Sequence, residues 1–281
     1  METGRSFTWW DGRWHEGDVQ LMSSRTHAAW LASTVFDGAR ALEGRTPDLD
    51  RHCRRLVRSA EVLGLAAPMR AEAIVELAQD GLTRFAKDAS LYIRPMLHAE
   101  AGDVIAPVPE TTVFTLSIWE SGLPQPGPRS ACVTKLRRPG PELVPTLAKA
   151  ACLYPQAWLA QKEAKARGFD DALMLDPVGN VAEFAYTNVF FAKDGEVYTP
   201  VWNGCFLSGI TRQRVIQLLR EAGVAVHERA IRAHEVEDAD EVFCTGNYAK
   251  LLPLTRIEDR VFQPGPLYAK ARELYWDWMH A

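Results

Sequence analysis

Lys149 stands in Leu147-Ala-Lys-Ala-Ala-Cys-Leu-Tyr, a run of small and apolar residues. An ammonium desolvated there has its pKa lowered, which suits a lysine that acts as nucleophile and base. A lysine on the solvent face of a helix is the ordinary alternative. Glu183, in Val181-Ala-Glu-Phe-Ala-Tyr, lies on a strand whose alternation turns its carboxylate inward with Val181 and Ala185, or leaves it wet at an edge. Two places have the character of an anion site. Ser208-Gly209-Ile210-Thr211 opens a helix, where N–H groups and the positive dipole end attract negative charge. A plain helix cap at Ser208 or Thr211 accounts for the same residues. Cys244-Thr-Gly246-Asn247-Tyr248 ends a strand in a glycine turn flanked by polar side chains. Neither G-x-G-x-x-G nor G-x-x-x-x-G-K-[ST] occurs, so a phosphate would be held without the usual nucleotide cradles. Arg51, Arg55 and Arg58 share one helical stripe, which reads first as a solvated basic face.

The elements that must position these residues follow from periodicity. Trp9-Trp10-Asp11-Gly12-Arg13-Trp14 reads as a hairpin about an Asp-Gly turn. Leu49, Cys53, Leu56, Ala60 and Leu63 recur at helical spacing over 48–65, and a second helix is expected over 71–86. Strands are expected at 90–95 and 111–119, so the first part alternates in an α+β manner. The proline- and glycine-rich stretch after Glu120 predicts a linker over 121–129, between a smaller domain, 1–120, and a larger one, 130–281. Beyond it a helix is expected over 145–168, then strands at 172–176 and 181–191 about a Pro177-Val-Gly-Asn turn. A helix over 210–222, strands at 224–228 and 241–245 and a final helix over 265–279 complete the pattern.

Composition narrows the partners. A formal net charge of −4 without any Lys/Arg block excludes an electrostatic attraction to nucleic acid or anionic lipid. No apolar run reaches a membrane span, and a cytoplasmic location is expected. The 5 cysteines are scattered without a C-x-x-C pair and read as reduced thiols, and the 7 histidines show no metal-ligand spacing, so no metal is expected.

In order and spacing the chain resembles the branched-chain aminotransferases, class IV aminotransferases of fold type IV with a D-amino acid aminotransferase-like architecture. The matching residues are Val35-Phe-Asp-Gly-Ala-Arg, Tyr92-Ile-Arg-Pro, Leu173-Met-Leu-Asp-Pro-Val-Gly-Asn-Val-Ala-Glu, Asn188-Val-Phe-Phe, Asp194-Gly-Glu-Val-Tyr-Thr-Pro, Ser208-Gly-Ile-Thr-Arg and Ala239-Asp-Glu-Val-Phe-Cys-Thr-Gly. The resemblance implies a two-domain α/β enzyme that binds pyridoxal 5'-phosphate between its domains and works as a homodimer. Lys149 then matches the lysine that holds the cofactor and shuttles the proton. Tyr154 matches the tyrosine that hydrogen-bonds the pyridoxal O3′, and Glu183 the carboxylate facing the pyridine nitrogen. Arg55, Gly209, Ile210, Thr211, Gly246 and Asn247 match the phosphate holders, with Asn247 in place of the family's threonine. Phe36, Arg40, Tyr92, Arg94 and Trp119 match the substrate pocket, where the arginine after the tyrosine meets a second carboxylate.

Three departures border that pocket. Leu31 replaces a tyrosine, Tyr248 a small residue, and Gly102-Asp-Val-Ile-Ala-Pro the family's G-[MLV]-G-V loop, which in the family reaches into the partner's site with the region around Leu31. The resemblance implies transamination from L-branched-chain amino acids to 2-oxoglutarate. A D-amino acid or (R)-amine transaminase, and a lyase similar to aminodeoxychorismate lyase, are the alternatives on the same cofactor site.

Overall fold

The computed structural model describes residues 4–281. It divides into one unit of residues 4–123 and 147–153 and another of residues 124–146 and 154–281. The division differs from the expected one in a way that matters. The chain crosses over near residue 123 and returns a short segment carrying Lys149 to the first unit, so Lys149 does not belong to the C-terminal part that 130–281 was expected to form.

The first unit is built on a 6-stranded sheet. Arg13–Glu16, Ser6–Trp10, Thr112–Glu120, Leu91–Ala99 and Thr34–Phe36 are neighbours in that order, and Ala39–Ala41 also pairs with Leu91–Ala99. Asp11 and Gly12, both at positive φ, make the expected turn of the first hairpin. On the long strands the side-chain period of two puts Ile93, Leu97, Leu116 and Ile118 on one face, all fully buried. Helices Leu49–Val62 and Ala71–Leu82 cover that face with Cys53, Leu56, Ala60, Ile74 and Ala78. Burying each large aliphatic side chain here contributes about 1.5–3 kcal/mol. The opposite period presents Tyr92, Arg94 and Trp119 on the other face.

The second unit has two 5-stranded sheets. One runs Val181–Phe184, Asp171–Leu175, Ser130–Arg137, Arg256–Ile257, Arg260–Val261, and the other Val226–Arg229, Glu196–Pro200, Asn188–Lys193, Glu241–Gly246, Lys250–Leu254. Leu173, Phe184, Val189, Phe191, Val242 and Leu254 fill a shared core. Helix Tyr154–Ala166 lies on the first sheet through Ala157, Ala160 and Ala164, whose small side chains allow a close approach. Helices Ile210–Glu221 and Pro266–His280 cover the second with Val215, Leu219, Tyr268 and Tyr275.

Two expected elements are corrected. The strand expected over 181–191 breaks at residues 185–187, because Val181–Phe184 and Asn188–Lys193 serve different sheets. The helix expected over 145–168 begins only at Tyr154, after a 3-10 turn at Ala151–Leu153. The preceding residues are drawn instead into an antiparallel bridge between Ala150 and Val35. Among the described residues no helix is long and apolar enough to cross a membrane, and no group of three or more His, Cys, Asp or Glu is placed to hold a metal. All 5 cysteines are free.

Candidate active site

In the first unit the backbone on either side of Lys149 is pinned. Its N–H donates to Ser59 Oγ at 3.0 Å, and its carbonyl accepts from the Phe36 N–H at 3.1 Å. Ala148 and Ala150 are buried to either side, so their alternation sends the lysine side chain the other way. Nζ lies 4.8 Å from the centroid of the Phe36 ring. A flexible side chain is thereby carried by a rigid base.

Arg55 leaves the solvated stripe of its helix and turns to Asp37. Its Nε and Nη2 donate to the two carboxylate oxygens at 2.7 and 2.9 Å, a bidentate fork that fixes the guanidinium plane. His52 Nδ1 at 2.7 Å and the Gly38 N–H at 2.7 Å share Asp37 Oδ1. Burial alone would raise the Asp37 pKa. The Arg55 and His52 charges and hydrogen bonds outweigh it and hold this enclosed carboxyl well below the usual range.

The sheet face above carries the substrate candidates. Cross-strand pairing sets Arg40, Tyr92 and Trp119 in one row. The Tyr92 and Trp119 rings lie 4.9 Å apart, and the Arg94 guanidinium lies 4.8 Å from the Trp119 ring. Gly38 makes room, since a Cβ there would come 2.2 Å from the Tyr92 hydroxyl. Arg40 is fully buried, donates to the Ser121 and Gly122 carbonyls, each at 2.9 Å, and lies 5.7 Å from the centroid of the Tyr92 ring. Leu31 ends the short helix His27–Leu31 and is exposed.

In the second unit Glu183 is buried where one sheet ends and the next begins. Arg138 Nη2 meets Oε1 at 3.0 Å, and Asn188 Nδ2 donates to Oε2 at 3.2 Å. Asn188 also reaches the Leu207 carbonyl at 3.1 Å, and Gly209 lets it pass, because a Cβ there would come 2.0 Å from its Oδ1. Gly209 is the cap residue of helix Ile210–Glu221, and no side chain caps that helix. Ser208 Oγ accepts from Gln213 Nε2 instead, at 3.0 Å. The first-turn N–H groups therefore have no side-chain acceptor, which separates this start from the plain cap that Ser208 or Thr211 would have made.

The strand Glu241–Gly246 ends beside Asn247, whose Oδ1 accepts from Lys250 Nζ at 2.8 Å. Tyr248 and Tyr154 are both partly exposed, the latter as the first residue of its helix.

Residues 34–257 match the family model of class IV amino-transferases. The chain belongs to the class IV aminotransferases. It is 34% identical over 254 residues, 90% of this chain and 87% of the relative, to a probable branched-chain-amino-acid aminotransferase of Rickettsia bellii. Among solved structures it resembles an aminotransferase from Brucella abortus bound to the co-factor PLP, at 48% identity and a TM-score of 0.97 over 99% of this chain and 100% of that one. It also resembles the branched-chain aminotransferase of Thermoproteus uzoniensis with norvaline, at 30% identity and a TM-score of 0.89 over 97% and 94% of the two chains.

Within this class IV aminotransferase the sequence reading missed Asp37, His52, Arg138, Asn188 and Lys250. Asp37 carried a signal, as the acid before a glycine that a tyrosine overlies. The others reach their partners only through folded geometry, and periodicity marks none of them.

Proposed function

We propose that the protein is a pyridoxal-phosphate-dependent transaminase that takes the amino group of L-branched-chain amino acids and passes it to 2-oxoglutarate. The observation that carries the reading is Lys149, with a pinned backbone and an amine set against an aromatic ring, in a chain whose residues 34–257 match the aminotransferase family. The names of the Rickettsia bellii and Thermoproteus uzoniensis relatives support the donor class.

The residues present fit the cofactor. Helix Ile210–Glu221 offers first-turn N–H groups with no capping side chain, and the buried Asn247 Nδ2 and Thr245 Oγ1 make no hydrogen bond of their own. These are donors suited to a phosphate. Arg55 adds charge, its plane already set by Asp37. Glu183, oriented by Arg138 and Asn188, supplies the anion that keeps a pyridine nitrogen protonated. Tyr154 supplies a phenol to the cofactor's O3′.

When bound, pyridoxal phosphate supplies an electron sink. The chain's own residues do the rest. Lys149 would hold the cofactor, and its Nζ, as a free amine, would take a proton from the substrate Cα and pass it on. Phe36, Tyr92 and Trp119 form an apolar wall for an aliphatic side chain, and Arg94 meets the second carboxylate of a dicarboxylic acceptor. The homodimer and the cytoplasmic location belong to the same proposal. Trp30, Leu31, Val104 and Ile105 are large apolar side chains exposed on the first unit, as a contact between copies requires, and sedimentation velocity at two concentrations tests it.

The deciding experiment follows the absorbance of purified protein as L-leucine, D-alanine and (R)-1-phenylethylamine are added separately without acceptor. Conversion with L-leucine alone is the expected outcome. Conversion only with D-alanine or the (R)-amine moves the activity to that donor class, and repeated release of pyruvate from aminodeoxychorismate without 2-oxoglutarate makes the protein a lyase. Lys149→Ala should lower the half-reaction rate by roughly 10,000-fold or more; a variant that still converts L-leucine at a comparable rate would sink the assignment.

A further inference from the structure

Lys250 breaks two local rules. It is 1% exposed, although lysine is rarely buried, and its φ is +62°, where a glycine or asparagine is the usual occupant. It pairs with Gly246 across the hairpin that joins Glu241–Gly246 to Lys250–Leu254, so residues 247–249 form the loop between them. A hairpin of this length calls for glycine at its left-handed position. Such departures persist where the surroundings over-determine them, and they concentrate at functional sites.

The compensating contacts are specific. Nζ donates to Asn247 Oδ1 at 2.8 Å and lies 5.8 Å from the centroid of the buried Tyr275 ring. An ammonium has three donors and no acceptor. The Asn247 carboxamide turned the other way would place donor against donor, so the lysine dictates its orientation. That orientation leaves Asn247 Nδ2, a buried donor, without a hydrogen bond in the protein. Thr245, two residues back and fully buried, likewise has an unbonded Oγ1. Two buried polar atoms flanking Gly246 thus have hydrogen-bonding capacity that the fold does not use, and leaving a buried donor unmade is costly unless a ligand takes it.

We infer that Lys250 is a positioning residue that orients the Asn247 carboxamide so that its N–H group donates to the cofactor phosphate. This rests on the pyridoxal phosphate reading above. Lys250 itself does not touch the phosphate; it acts through Asn247. The family's threonine at this position has a rotating hydroxyl that both donates and accepts, and it needs no such guide. Asparagine does, because only one end of its amide can donate.

The test titrates the full-length chain, stripped of cofactor, with pyridoxal phosphate and separately with pyridoxal, which lacks the phosphate but still reacts with Lys149. Lys250→Met should weaken pyridoxal phosphate binding about ten- to hundredfold, the loss of one hydrogen bond to a charged group, and leave pyridoxal binding as it was. In an Asn247→Ala background the same change should have no further effect. If Lys250→Met does not fold, Asn247→Asp replaces it: the carboxylate still accepts from Lys250 but has no N–H to donate, so the same selective loss is expected at an unchanged melting temperature. Equal weakening of both ligands, an unchanged ratio, or a full effect of Lys250→Met without Asn247 overturns the inference while the cofactor reading stands. A wild-type chain that binds neither ligand overturns both.

Discussion

Two buried carboxylates, Asp37 in the first unit and Glu183 in the second, each face an arginine, yet they are held differently. Asp37 takes both arms of the Arg55 fork, His52 and a backbone N–H, and is fully enclosed. Glu183 meets Nη2 of Arg138, which also donates to the Ala185 carbonyl at 2.7 Å, and an asparagine amide. Asp37 engages Arg55 by a two-armed fork, and Arg138 keeps a backbone partner whatever stands at 183. The first carboxylate is therefore the more firmly held, and on the proposed function the second is the one assigned to chemistry.

The largest effect that would sharpen this contrast is on rate. On the proposed function Glu183→Gln should lower kcat by about 100- to 1000-fold, because the amide would remove the anion opposite the pyridine nitrogen, with a stability loss of only about 1 kcal/mol. Stopped-flow half-reactions and urea denaturation measure the two separately, and a variant that unfolds rather than slows would erase the distinction. Next in size is Asp37→Asn, which leaves Arg55 and His52 buried without their anion and should cost about 3 kcal/mol. Its pH dependence has a definite sign. The folded carboxyl lies below its ordinary value of 3.8, so its contribution is complete above that pH and is lost as pH falls towards the folded value. The gap in stability between wild type and Asp37→Asn should therefore be constant near neutrality and close as acid is added below about pH 4. A gap that widens in acid would contradict the assignment. The smallest effect is expected for His52→Gln, which weakens one of the contacts to Asp37 and should cost about 1 kcal/mol while kcat stays within about twofold. Thermal denaturation and steady-state assays report both.

The candidate site residues are legible before the fold because they lie in short contiguous patterns. Ser208-Gly209-Ile210-Thr211 and Cys244-Thr-Gly246-Asn247 each place a backbone turn and its polar side chains within a few residues, and local geometry follows from local sequence. The hairpin at Asp11-Gly12 and the helix carrying Cys53, Leu56 and Ala60 were legible for the same reason, since periods of two and 3.6 residues register in the order of residues alone.

What supports those residues was not legible. Asp37 and Arg55 are 18 residues apart and Ser59 and Lys149 90, Arg138 and Glu183 lie beyond either helical or strand spacing, and no period links any of these pairs. Arg40 illustrates the limit: no local pattern foretells that its guanidinium donates to the carbonyls of residues 121 and 122. The segment 147–153 joins the first unit because a bridge to Val35 competes successfully with the helix its alanines would favour. The sequence by itself determined the family and most of the elements, which are written in local pattern. The tertiary structure alone decided which partner each buried charge has and which unit carries Lys149, because those are settled by packing between residues distant in the chain, where local propensity has no say.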